Sequence, residues 1–374
     1  MTHSRTTQTY AGNIDLQAAA QWIAAQRSIV LTTHLKPDGD AIGTSLALAR
    51  AIRQACPNTT VDLWYAGVLP DFLPELLDGE SFTHIDTGPL PSTEDVDAFV
   101  IVDTGAWSQL APVRAALEGH AAQTLIIDHH LSGDAEIADR RIIDPSAAAA
   151  AQIVAELCAI LLDVKTSELP EPIASPLYMG LATDTGWFRF SNVTPATMRL
   201  AADLIQAGVD HTEFYRIIEQ RDHPGRLRLL GRALRTLAFY PLKGVPDRVA
   251  IMGLTRDDFA RAGARPGDTG GFADRPLSIA SVAVSIVLNE VTDEEGNPMT
   301  KISMRSKPGP EAVDVNQIAM QVGGGGHARA AGARIFGSLA TAKARLLEAL
   351  GVPAEAINAC NRPTCDPCQT DSHS

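Results

Sequence analysis

Long apolar runs, positive charge and cysteine are all scarce in this chain, and each scarcity narrows what it can be. Mean hydropathy is +0.01, and no apolar stretch approaches the roughly 18 residues that span a bilayer, so no membrane is expected as a partner. The opening MTHSRTTQTYAG has no apolar h-region, and no secretory signal is expected. Lys and Arg number 31 against 44 Asp and Glu, a net charge of -13. That excludes a broad basic surface for long duplex nucleic acid, whose binding is driven by counterion release from many phosphates. A small anionic substrate remains open, because bound cations and a few local arginines reverse the sign of a pocket. Five cysteines, an odd count, do not make a disulfide framework. Cys56 and Cys158 stand alone, and the compartment expected is the reducing cytoplasm. Cys360, Cys365, Cys368 and His373 have the makings of a Cys₃His zinc site, but the short polar segment 351–374 reads first as a disordered tail.

With 374 residues, 45% of them hydrophobic, the chain is long enough for two domains at ~150 residues each. Its first half alternates β-rich and helical segments. Ser28–His34, Val61–Ala66, Ala98–Asp103 and Thr124–Asp128 read as strands, with a short one at Ile142–Ile143. Ala41–Gln54 and Arg114–Glu118 read as helices, and another is expected from a Ser146 cap through Leu162. The alternation predicts an α/β fold, a parallel sheet with helices on both faces, binding its ligand outside the carboxyl ends of the strands. Thr194-Pro195 opens a helical stretch that runs to about Tyr240, including Asp210 and Glu213 at capping-box spacing. Beyond it, strand-like Arg248–Gly253, Ile279–Asn289 and Ile302–Arg305 and a final helix at Thr341–Leu350 predict a smaller α+β domain. The expected division is 15–194, a helical connector 195–240, 241–350 and the tail.

Metal-competent side chains gather at what read as four strand ends: His34 with Asp38 and Asp40, Asp103, Asp128-His129-His130, and Asp184. Carboxylates mixed with imidazole suit a borderline divalent ion such as manganese. Two such ions need a shared carboxylate between them, and then clamp an attacking hydroxide and a phosphoryl oxygen. A single Asp after a strand is more often a cap, and a His pair alone is often structural; the coincidence in one half of the chain carries the argument. Pro37 and Gly39 are expected to hold Asp38 and Asp40 on a loop ahead of the helix. In the second half, Gly323–His327 (GGGGH) is not a Walker loop, since no Lys-Ser or Lys-Thr follows. A glycine run alone is more often a flexible loop, but glycines there would let backbone N–H groups approach a phosphate or base; Arg305 alone reads more often as a surface arginine on a strand, with a fork onto phosphate as the alternative.

Taken together and in order, these residues resemble the DHH phosphoesterase superfamily. SMRSK…VDVNQIA…GGGGHARAAG resembles its companion DHHA1 substrate domain, and the combination is similar to the branch of bifunctional oligoribonucleases (nanoRNases) and pAp phosphatases. The resemblance covers about residues 15–350. It implies two divalent ions, with His34, Asp38 and Asp103 on the first and Asp40, Asp103, His129 and Asp184 on the second. It also implies that Asp128 orients its neighbours and that His130 faces the substrate phosphate as donor or general acid. Arg305, Gly325, Gly326 and His327 would grip the nucleotide, in a cleft between the domains. The reaction expected is hydrolysis of short 5′-phosphorylated RNA and of 3′-phosphoadenosine 5′-phosphate (pAp) to AMP. The rivals are a cyclic or linear dinucleotide phosphodiesterase, a RecJ-like exonuclease and a non-catalytic nucleotide binder. The reading also allows a homodimer.

Overall fold

A computed structural model describes residues 9–293, 295–309 and 312–353; Cys360, Cys365, Cys368 and His373 of the zinc reading lie outside them. The chain divides into two compact units, Met1–Arg221 and Asp222–Ser374.

The first unit runs α1 (Leu16–Ala24), β1 (Ser28–Thr32), α2 (Gly39–Ala55), β2 (Thr60–Tyr65), α3 (Leu73–Leu77), β3 (Thr83–His84), β4 (Ala98–Val102), α4 (Arg114–Leu117), β5 (Thr124–Asp128), β6 (Arg140–Ile143), α5 (Ala150–Leu162), α6 (Glu171–Asp184), α7 (Pro195–Gln206) and α8 (His211–Glu219). Its six strands pair in parallel, in the order β3-β2-β1-β4-β5-β6. Strands covered on both faces become continuous apolar runs, and β4 and β5 are buried at every residue. Alternate side chains go to opposite sides. Leu31, Val100, Val102 and Ile127 pack with α1, α2, α5 and α6, while Val30, Ile101 and Ile126 pack with Val113, Ala116 and Leu117. The expected two-faced sheet is present, with unequal covering: α4, on the second face, has four residues.

Glycine sets the spacing of the thick layer. A Cβ on Gly43 of α2 would lie 2.1 Å from the Pro176 carbonyl of α6, and one on Gly39 would lie 2.3 Å from Thr183 Oγ1. These two helices therefore pack backbone to backbone. The sheet order reverses direction at β1 and β4, which lie side by side. In open parallel sheets such a switch point, at the carboxyl ends, opens a crevice for ligand.

Within the segment expected as a helical connector, 195–240, the helices end at Arg235 and belong to different units, and its last residues open a strand. α7 and α8 lie in the first; α9 (Pro224–Arg235) opens the second. There follow β7 (Ala238–Leu242), β8 (Val245–Leu254), α10 (Arg256–Ala262), β9 (Val284–Thr292), β10 (Pro298–Ser306), α11 (Val315–Gln321), β11 (Gly325–His327), β12 (Ala330–Phe336) and α12 (Leu339–Ala349). The six strands form a mixed sheet in the order β11-β12-β10-β9-β8-β7, with only β8 and β9 parallel. Among the described residues no helix is long and apolar enough to cross a membrane.

Candidate metal centre and active site

Three loops at the carboxyl ends of β1, β4 and β5 deliver His34, Asp103 and the Asp128–His130 triplet to one place. Asp103 is the hub. Its side chain is 4% exposed; Oδ2 lies 3.5 Å from His34 Nε2, and Oδ1 lies 3.3 Å from His129 Nε2. His34 Nε2 is also 3.7 Å from Asp38, and His129 Nε2 is 3.7 Å from Asp184. The two oxygens of one carboxylate thus face two different sets of His and Asp. Asp103 holds this position with φ +61, in the left-handed region that costs a non-glycine residue about 1–3 kcal/mol and clusters at functional sites.

Both histidines are oriented from behind. His34 Nδ1 is 3.1 Å from the Leu35 carbonyl, and His129 Nδ1 is 3.4 Å from the Ala147 carbonyl. A carbonyl can only accept, so each Nδ1 carries the proton and each Nε2 is aimed at the carboxylates, the usual support of a metal-ligating imidazole.

Asp38 and Asp40 sit differently from the loop expected for them. The helix starts at once: Asp38 is the N-cap of α2, accepting from the Asp40 and Ala41 N–H groups, and Asp40 is already in its first turn. A capping Asp and the Gly39 contact with α6 outweigh the helix-breaking tendency of Pro37 and Gly39. Asp40 is buried and also caps a second helix. It accepts from Ala150 N–H (2.6 Å), Ala151 N–H (2.9 Å) and Thr44 Oγ1 (2.9 Å). This corrects the expectation for α5, whose first turn has no local side-chain cap and is served by Asp40 from α2 instead of Ser146.

Asp184 corrects another expectation. It ends helix α6 and no strand. The helix was invisible because it is apolar almost all round, with Pro176 and Gly180 inside it, and a helix buried on every side has no 3.6-residue stripe. A carboxylate at a helix C-terminus faces the negative end of the helix dipole, and a neighbouring cation relieves that conflict.

Asp128, wholly buried, is the organiser of the triplet. Its Oδ1 accepts from the N–H groups of His129 (2.8 Å) and His130 (3.2 Å) and from His130 Nδ1 (2.7 Å), and its Oδ2 accepts from the Tyr10 hydroxyl (2.5 Å). Burial works against its charge, but His130 and Tyr10 override it and hold the carboxyl below the usual range. The Asp128 hydrogen bond in turn lifts His130 above the ordinary imidazole value. Sequence reasoning did not find Tyr10; it lies in a segment with no periodicity, and no spacing rule connects residue 10 with residue 128.

The donor set fits divalent metal. Three subsets have ligand atoms close enough to hold an ion: His34, Asp38 and Asp103; Asp40, His129 and Asp184; and Asp103, His129 and His130. Asp103 Oδ1 is buried without a hydrogen-bond partner, a vacancy a protein rarely leaves in a polar group unless something binds it. Burial, with Asp103 and Asp184 adjacent, pushes Asp40 well above the usual carboxylate range, and burial raises Asp184 to about 6. Burial depresses His34 and His129, but the surrounding carboxylates outweigh it and raise them to about 10 and about 9.

Two consequences can be measured. Near neutral pH both imidazoles hold a second proton in the metal-free protein. Loading manganese should therefore release at least about two protons, one each from His34 and His129, with any proton held by the raised Asp40 added to them. Titration calorimetry in buffers of different ionisation heat reads that number, and zero release would show the imidazoles to be neutral beforehand. The raised imidazoles also contribute stability that is complete below about pH 6.5 and is lost as pH rises through their folded values of about 9 and about 10. The raised carboxylates act in the same direction, so the metal-free fold should melt lower as pH increases.

In the second unit three of the four expected substrate-binding residues, Arg305, Gly325 and His327, share one surface, and Gly326, paired with Ala331, alternates to the other. Arg305 of β10 and His327 of β11 both pair with Ala330 of β12, and Ser303 and Gly325 both pair with Gly332. Paired residues point to the same face, so Arg305 and His327 flank a floor of Ala330, Gly332 and Gly325. Gly325 and Gly326 open the edge strand β11, and the run serves the sheet: a Cβ on Gly324 would lie 2.1 Å from the Gly332 carbonyl, and one on Gly326 would lie 2.5 Å from that of Ala330.

Residues 28–181 match the DHH family, N-terminal domain, and residues 248–351 match the DHHA1 domain. The chain is 34% identical over 328 residues to the bifunctional oligoribonuclease and PAP phosphatase NrnA of Thermus thermophilus, covering 87% of this chain and 90% of that one. The protein of the same name from Bacillus subtilis is 24% identical over 316 residues, covering 84% and 91%. An exopolyphosphatase-related protein from Bacteroides fragilis has a similar structure, with a TM-score of 0.77 at 25% identity, covering 90% of this chain and 95% of that one. DHH enzymes are metal-dependent, which agrees with the donor clusters around Asp103. By its two domains and by identity along most of its length, the chain belongs to the DHH–DHHA1 phosphoesterase family of hydrolases.

Proposed function

We propose that this enzyme hydrolyses phosphate esters in short 5′-phosphorylated oligoribonucleotides and in pAp, releasing AMP from the latter, with two manganese ions as cofactor. The observation that carries the reading is the placement of the Asp103 carboxylate between His34 and His129, one oxygen toward each. The substrate class follows from the relatives named as oligoribonuclease and PAP phosphatase.

His34, Asp38 and Asp103 would hold one ion, and Asp40, Asp103, His129 and Asp184 would hold the other. When bound, the ions lower the pKa of water and neutralise charge on the phosphoryl oxygens. Asp128 fixes the His130 ring through Nδ1, which leaves Nε2 as the free proton-bearing atom. His130 donates that proton to the departing ester oxygen as the P–O bond breaks and water supplies the new oxygen. Arg305 and His327 bind phosphate across the small-residue floor of the mixed sheet, with the Gly325 and Gly326 backbone against the nucleotide. The free Cys56 and Cys158 suit a reducing cytoplasm.

The test is a panel with manganese: pAp, 5′-phosphorylated RNA of three to five nucleotides, the linear dinucleotide pApA and cyclic di-AMP. Fast turnover of pAp and short RNA is expected. Turnover confined to cyclic di-AMP and pApA would replace this reading by a dinucleotide phosphodiesterase, and no turnover at all would leave a binding protein. Run on Arg305→Ala, the panel should show KM raised about tenfold or more, the worth of a charge-assisted hydrogen bond, with kcat nearly unchanged because ground and transition states lose the same contact. A lower kcat at constant KM would contradict that role.

A further inference from the structure

We propose that Tyr10, which lies ahead of the segment matched to the DHH family, is a positioning residue of the active site: its hydroxyl braces Asp128 and, through Asp128, the His130 ring. The inference rests on reading His130 as the proton donor.

Asp128 has two oxygens and unequal company. Among the described residues Oδ1 takes three donors, all from the following two residues, whereas Tyr10 is the one donor to Oδ2. Asp128 is ionised and has no proton to give, so the phenol donates. Burial, then the Asp128 charge, keeps that phenol from ionising. Without the hydroxyl, Oδ2 would be a buried acceptor with no partner. The carboxylate would then be free to turn about its Cβ–Cγ bond and take the His130 Nδ1 bond with it.

The ring is held where this contact requires. A Cβ on Gly105 would lie 2.0 Å from the Tyr10 hydroxyl oxygen, and one on Gly133 would lie 2.6 Å from the ring. Gly105 follows Asp103 by two residues and Gly133 follows His130 by three, so both loops that carry site residues are cut back to admit this side chain. The Asp134 N–H donates to the Gly105 carbonyl (2.7 Å), joining those loops around it. Chain 11–13 is tied along β6: the Asn13 N–H donates to the Arg141 carbonyl (2.9 Å), the Arg141 N–H donates to Asn13 Oδ1 (2.8 Å), Asn13 Nδ2 donates to the Asp139 carbonyl (2.7 Å), and Arg141 Nε donates to the Ala11 carbonyl (3.2 Å). A space-filling role needs only the ring; the positioning role needs the hydroxyl.

Tyr10→Phe separates them. Turnover of pApA with saturating manganese is measured for the parent enzyme, Tyr10→Phe, His130→Ala and the double variant, along with bound manganese and melting temperature. Tyr10→Phe should lower kcat about tenfold, the lower end of the 10- to 100-fold range for supporting residues, with KM and metal content nearly unchanged and the melting temperature lower by only several degrees, the cost of one unpaired buried acceptor. In the His130→Ala background the same change should add less than about twofold, because the two act in one chain. An unaltered kcat in Tyr10→Phe, an equal loss in both backgrounds, or a loss that tracks metal content or melting temperature would overturn the proposal. Should His130→Ala itself turn over normally, the fault would lie in the reading of His130, and the positioning role would fall with it.

Discussion

Asp103→Ala should reduce hydrolysis of both pAp and short RNA to background and leave the protein unable to retain its metal. Removing one preorganised donor from a reaction centre costs about 10²–10³-fold, and Asp103 serves two ligand sets at once, so the loss should reach at least the upper end of that range. His34 and His129 approach its two oxygens at 3.5 and 3.3 Å, and in the variant neither set keeps its shared member. Folding should survive, because the site's carboxylates crowd one another: Asp40 and Asp184 both have raised pKa values to which Asp103 contributes. Deleting one negative charge relieves that crowding, which offsets the cost of keeping an alanine at the φ +61 position. The measurements are kcat with excess manganese, bound metal by elemental analysis, and the melting temperature of the metal-free protein. Activity within tenfold of the parent, or two retained ions, would remove Asp103 from the bridging role.

Much of this site was legible in the sequence, for physical reasons. Short runs such as AFVIV and TLIID are buried on both faces of a parallel sheet and read as strands without help from periodicity. A strand that must end in a polar loop marks its own boundary, so His34, Asp103 and Asp128 were found at their strand ends. The misreadings concern helices. Asp184 sits on one that has no polar face, and the cap of α5 comes from Asp40, 110 residues earlier. A capping interaction from another element leaves no trace at i+3, the only spacing a sequence reading can use. The glycine run at 323–326 shows a different limit. Glycine records only that something comes close, and here the neighbours that a Cβ would strike are carbonyls of the protein's own sheet. Arg305 and His327 came to one face through the registers of β10 and β11 on β12, which the sequence does not encode in any local pattern.

His130→Ala should separate catalysis from metal binding. Its ring lies 3.9 Å from Asp103 Oδ1, close enough to be counted with Asp103 and His129 as a third ligand group. The nitrogen nearest Asp103 is Nδ1, however, and that atom is 2.7 Å from Asp128 Oδ1, an ionised carboxylate that can only accept. Nδ1 therefore carries a proton and has no lone pair to offer an ion. The ring is also 55% exposed, against 14% for His129, which suits a group that meets substrate. Bound manganese should accordingly match that of the parent, while kcat falls about 10²–10⁴-fold, the usual contribution of a positioned general acid. The sign of the pH dependence follows from the same hydrogen bond. Asp128 raises the His130 pKa above its ordinary value, so kcat of the parent should decline only at a pH above about 6.5. In His130→Ala that descending limb should vanish. Loss of one ion from His130→Ala would instead make His130 a ligand, and the proton for the leaving oxygen would then have to come from solvent.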